Sequence, residues 1–164
     1  MSHKTQSANM VKLALLLSSN LGYIYGEREI GPNGAKRDFL RTGRVFISAL
    51  SKDLGLFEVE INVNKAGIAV SGEVYMTGLW DEMSGLSLWL EQDLLGENCM
   101  CYRTITVKPA IKPAFSKQKR TNRKRYEPGR NNFETVASFA QGDYEALLKK
   151  LIRMKEADYG RKAA

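Results

Sequence analysis

The chain has 164 residues, 43% of them hydrophobic and 26% charged, with a formal net charge of +7 at pH 7. A chain of about 150 residues can bury roughly 68–70% of its unfolded surface, so a core forms without a disulfide or metal and global disorder is excluded. The longest apolar run, Leu13 to Leu17, is far short of the ~20 residues that cross a bilayer, which argues against a membrane partner.

That run follows Lys4 and Lys12, as in a signal peptide. It is shorter than the ~7–15 residues of a signal-peptide apolar region, and Ser18-Ser19-Asn20 breaks it early. The expected location is cytoplasmic. Within residues 8–21, Met10, Leu13, Leu17 and Leu21 recur at helical spacing and Gly22 is a candidate stop, although the LALLL portion also fits a strand. Gly22, Gly26, Gly31 and Gly34, with the turn Pro32-Asn33-Gly34, then mark a loop that lacks the order of a phosphate-binding P-loop.

From Ala35 to Leu54 the residues Phe39, Leu40, Phe46, Ile47, Leu50 and Leu54 fall at three- and four-residue intervals, which predicts an amphipathic helix ended by Gly55. After it the period becomes two. Phe57, Val59, Ile61 and Val63 alternate with Glu58, Glu60 and Asn62, and Ile68, Val70, Val74 and Met76 alternate with Ser71, Glu73 and Tyr75. With Asn64-Lys65-Ala66-Gly67 between them, the two runs read as a hairpin with one buried face. Strands at Leu86 to Leu90 and Cys99 to Val107 complete a meander that stops at Pro109.

Asn131/Asn132 look like caps of a short helix through Ala140, though TVASFA also fits a strand. Asp143 caps a last helix with Tyr144, Leu147, Leu148, Leu151 and Ile152 as its buried stripe, and Tyr159-Gly160-Arg161-Lys162 trails off as a basic tail. The expected fold is one α+β domain over residues 1–164: a four-stranded antiparallel meander packed against an N-terminal helical region and a C-terminal helix, with a long exposed basic arm at 108–130.

The arm holds the charge. Residues 108–130 contain Lys108, Lys112, Lys117, Lys119, Arg120, Arg123, Lys124, Arg125 and Arg130 against Glu127 alone, a net of +8; the remaining 16 Lys/Arg and 17 Asp/Glu leave −1. Solubility does not require such one-signed density. Cations release the counterions of phosphate backbones, and Asn122, Asn131, Asn132, Phe115, Tyr126 and Phe133 add residue types that hold phosphates and stack on bases. Nucleic acid of unspecified type is the expected partner. A basic targeting cluster at KQKRTNRKR, an acidic protein partner and a merely solvated loop remain alternatives.

Four smaller features complete the candidates. Arg37, Arg41 and Arg44, at i, i+4 and i+7 beside Lys36, form a stripe that could extend the binding surface, or simply a solvated helix face. Glu58, Glu60 and Glu73 share the polar side of the hairpin, where Glu60 is expected to face Glu73; a divalent-metal nuclease site is the sharp interpretation and a solvent-facing surface the plain one. Cys99 and Cys101 lack the further ligands of a zinc site, because the one histidine, His3, is expected in a floppy tail; they read as buried strand cysteines. That placement of His3 also leaves a Ser-His-Asp or Cys-His arrangement without its base. Trp80 and Trp89 flank the second hairpin and read as core residues, with base stacking or partner anchoring as alternatives. No catalytic residue, metal or cofactor is expected. The sequence thus points to a non-enzymatic nucleic-acid-binding accessory protein, then to an interaction module or inhibitor docking an acidic partner within a larger assembly, and third to a metal-dependent nuclease.

Overall fold

The computed structural model describes residues 2–18, 35–64, 72–92, 96–108 and 125–163. The elements follow as α1 (His3–Leu16), α2 (Ala35–Asp53), β1 (Phe57–Asn64), β2 (Glu73–Leu79), β3 (Ser84–Leu90), β4 (Asn98–Lys108), β5 (Arg125–Pro128), β6 (Asn132–Thr135), α3 (Val136–Gln141) and α4 (Tyr144–Ala163). The strands form one antiparallel sheet in the order β1-β2-β3-β4-β5, and β6 pairs β4 farther along. The broad α+β expectation holds.

The helices form a layer on one face. Met10, Leu13, Phe39, Phe46, Ile47, Leu50, Phe139, Tyr144 and Leu151 share one buried cluster with Val74, Met76, Leu86, Leu88, Leu90, Met100 and Tyr102 from β2, β3 and β4. Each fully buried aliphatic or aromatic side chain of this kind contributes about 1.5–3 kcal/mol. The helix at 35–54 forms as its period predicts. Gly55 ends it at φ +68°, a left-handed conformation that costs glycine nothing, and the Leu56 N–H turns back to the Ser51 carbonyl at 3.0 Å.

The strand count differs from the expected four. Residues 125–135, read as arm and helix cap, supply β5 and β6, which cover successive stretches of the 11-residue strand β4. Leaving so long a strand unpaired would expose a row of backbone donors and acceptors. Pro128 does not prevent this, because it is the last residue of an edge strand, where a missing N–H costs least. Asn132 consequently lies in β6, and Thr135 caps α3 by accepting the Ser138 N–H at 2.9 Å.

Three further expectations change. His3 is in the first turn of α1, whose cap is Ser2; its ring packs edge-on against Tyr144 at 5.2 Å, with Asp53 and Glu145 oxygens at 3.8 and 3.4 Å. The apolar stripe that begins at Met10 hides this earlier start, because the first turns pack through polar groups: buried Gln6 donates to the Phe46 carbonyl at 3.0 Å. The hairpin register also moves. Asn64 pairs Glu73 and Glu60 pairs Thr77, so Glu60 and Glu73 do not face each other. A bulge near Glu58, whose φ is +51°, places Phe57 opposite Leu79 and separates it from the face of Ile61 and Val63. Finally, the expected basic tail at 159–162 is part of α4. The glycine-rich stretch 22–34, the turn at 65–67 and the strand start at Ile68 and Val70 lie outside the described residues.

Among the described residues no helix is long and apolar enough to cross a membrane.

Candidate nucleic-acid interface

The sheet fixes where the basic segment leaves and re-enters. Lys108 ends β4, Arg125 begins β5, and the two are register partners, so residues 109–124 connect neighbouring antiparallel strands. Those sixteen positions carry Lys112, Lys117, Lys119, Arg120, Arg123 and Lys124 and no acidic residue. They lie outside the described residues, whereas both feet are inside them. At the feet Lys108 Nζ meets Glu127 Oε2 at 2.8 Å, and this cation holds the Glu127 carboxyl below its ordinary range. Glu127, the lone acid of the segment, is thereby engaged at the root. Beside it the Val107 N–H donates to the Met83 carbonyl at 2.8 Å, tying the root to the β2–β3 turn.

That turn is rigidly built. Asp81 accepts from the Met83 and Ser84 N–H groups at 2.7 and 2.8 Å, and the Trp80 indole donates to Ser84 Oγ and to Asp158 Oδ2 of α4, each at 3.0 Å. Trp80 is therefore a buried anchor, as a core assignment requires.

Trp89 differs. Cross-strand partners project to the same side of a sheet, and the pairs Asn62–Tyr75, Tyr75–Trp89, Trp89–Cys101 and Cys101–Phe133 make one row over β1, β2, β3, β4 and β6. The core residues Met76, Leu88, Met100 and Tyr102 occupy alternate positions and point to the helices, so this row lies on the opposite face. Tyr75 and Trp89 rings pack at 5.1 Å, and Arg103 places its guanidinium 4.6 Å from the Trp89 centroid. Phe133 is 53% exposed and Tyr126, opposite Val107 on the same face, 38%. Arg130, exposed, stands between Tyr126 and Phe133 along the edge.

The remaining predicted residues separate. Arg37, Arg41 and Arg44 are exposed on α2, whose N-terminal half approaches the sheet beside Gly72 and the Asn64 end of the hairpin. The arm's feet are at the opposite end, beside Ser84 and Met83, so the helix stripe and the feet do not adjoin. Cys99 is buried and Cys101 half-buried, and neither forms a disulfide. Burial pushes the Cys101 thiol up, with Arg103 opposing the shift and Glu91 adding to it. Among the described residues no three His, Cys, Asp or Glu side chains are placed to hold a metal.

Tyr75 and Arg103 were not among the sequence candidates. For Tyr75 a signal was present, since Tyr75 and Trp89 alternate with the buried residues that flank them on β2 and β3. Only the register brings Arg103 to Trp89.

The chain matches no protein-family model, and comparison with curated proteins and with solved structures returned no match.

Proposed function

We propose that this chain is a non-enzymatic nucleic-acid-binding accessory protein that grips the phosphate backbone through the basic segment between β4 and β5. The observation that carries it is the concentration of six Lys/Arg without an acid between two registered strand feet, on a chain whose remainder is nearly neutral. Phosphates are the dense anionic array that such a segment fits, and the gain comes from counterion release. Lys112, Lys117, Lys119, Arg120, Arg123, Lys124, Arg125 and Arg130 are the assigned contacts. Arg37, Arg41 and Arg44, on the helical side, form a separate auxiliary strip.

The test replaces Lys117, Lys119, Arg120, Arg123, Lys124 and Arg125 by Ala and measures retention on duplex and single-stranded nucleic acid. Retention is expected to vanish at moderate salt while the circular dichroism is unchanged. Undiminished, salt-insensitive retention would refute the assignment. Absence of retention by the parent chain at low salt would instead favour the cationic segment docking an acidic protein.

A further inference from the structure

We infer that the outer face of the sheet is a stacking platform for the unpaired bases of a single-stranded nucleic acid, with Tyr75, Trp89, Arg103 and Phe133 as its surface. The inference rests on the nucleic-acid assignment above and adds to it the kind of strand and the face that reads it.

The row has the chemistry that bases require. Bases stack on aromatic rings and on guanidinium planes without regard to sequence, because each has a π-face. Here the half-buried Tyr75 and Trp89 rings pack at a 40° tilt and the Arg103 guanidinium lies over Trp89, so their orientation is fixed before a ligand arrives. Trp89 and Phe133 flank Cys101, two strand spacings or roughly 9.6 Å apart. Only the short Cys101 side chain stands between them in the row. Arg103 Nε is buried and has no hydrogen-bond partner. A small shift of its guanidinium toward a bound strand would meet a base carbonyl or phosphate oxygen.

The cations select the occupant. Arg103 lies beside the row, two residues from Cys101 on β4, and Arg130 follows Tyr126 and precedes Phe133 along the sheet edge. An aliphatic protein surface would leave these charges unpaired, whereas a nucleic-acid strand brings a phosphate for each base. A duplex keeps its bases stacked inside, so only an unpaired strand can offer them to the rings.

The experiment compares binding of oligo(dT) of about 12 nucleotides, within the ~4–16 nucleotides that single-strand folds cover, with an abasic strand of equal length and a duplex. Wild-type protein should bind oligo(dT) roughly five- to 150-fold more tightly than the abasic strand, since stacking is worth about 1–3 kcal/mol per base. Phe133→Ala and Tyr126→Ala remove exposed rings and should keep the parent fold; Phe133→Ala should erase most of that advantage and leave abasic and duplex binding unchanged. Oligo(rU) in place of oligo(dT) distinguishes RNA from DNA as the strand, and an advantage over its abasic counterpart in either supports the platform. Equal binding of oligo(dT), oligo(rU) and abasic strands, or a Phe133→Ala variant that keeps the full advantage, would overturn it while leaving the backbone assignment intact. Loss of binding to every strand in the wild type would overturn both.

Discussion

Replacing Glu134 tests the structure where it ties most elements together. Glu134 is 5% exposed and accepts from Tyr102 Oη of β4 at 3.2 Å, Ser138 Oγ of α3 at 3.3 Å and Lys150 Nζ of α4 at 2.6 Å. Glu134→Ala strands the hydroxyl of Tyr102, itself only 3% exposed, at a cost of about 1–3 kcal/mol for an unpaired buried donor. The Lys150 side chain is 56% exposed, so its ammonium regains water and adds less than a buried partner would. The sum is about 2–4 kcal/mol. With a urea dependence of about 2 kcal/mol per molar, the unfolding midpoint should fall by about 1–2 M at unchanged slope. Tyr102→Phe in the Glu134→Ala background should then cost less than in the parent, by about 1 kcal/mol, because the stranded hydroxyl is gone. A Glu134→Ala loss below about 0.5 kcal/mol, the range of ordinary surface changes, would refute this account of the junction.

Other outcomes follow from the same geometry. Removing six arm cations should reduce the slope of log K against log salt by about 4–5, which titration of binding at several salt concentrations measures. Gly85→Ala should destabilise by about 1–3 kcal/mol or prevent folding, since a Cβ there would lie 2.0 Å from the Gly78 carbonyl oxygen of the neighbouring strand; thermal unfolding reads this directly. Burial and the adjacent carboxylates Glu134 and Asp53 raise the Tyr102 and Tyr144 phenols well above their ordinary 10.0. The unfolded chain therefore releases these protons first: stability is complete below about pH 10 and falls above it by about 1.4 kcal/mol per pH unit per tyrosine. Tyr102→Phe and Tyr144→Phe should each flatten that alkaline decline in a pH series of thermal midpoints.

How far the sequence carried depended on whether one local period decided the matter. In α2 a single stripe from Phe39 to Leu54 faces one core, so the helix and its Gly55 stop were legible. Strands β3 and β4 were legible near their expected bounds, whereas β2 runs on to Leu79, past the expected end at Met76. Register was not: β1 is an edge strand whose bulge at Glu58 shifts Phe57 to the other face, and nothing in the alternation announces an inserted residue. The pair β5 and β6 escaped notice because each has only four residues, below the length at which alternation shows. The first turns of α1 were missed because Gln6 and His3 pack through hydrogen bonds and ring contact, which a hydrophobic period does not register. The charge of the arm needed only counting, whereas the outer aromatic row needed three registers at once.

The register also gives the arm a defined relation to that row. Its feet stand on adjacent strands at one end of the sheet, so both ends of the basic segment are tied there. Cys101 is seven residues from Lys108 along β4, a distance of about 23 Å at ~3.3 Å per residue. Sixteen residues that leave and return can reach at most about 26 Å from their feet, by the ~3.3 Å span of an extended residue. The distance from the feet to the row is shorter than that upper bound. Within the segment Lys108 is matched to Glu127 and outside it Lys150 to Glu134, and the chain outside the segment sums to −1, too little to neutralise +8. If the proposed nucleic-acid strand lies across the outer face, each phosphate held by the arm raises the effective concentration of bases over Phe133 and Trp89, and tight binding needs neither site to be strong alone.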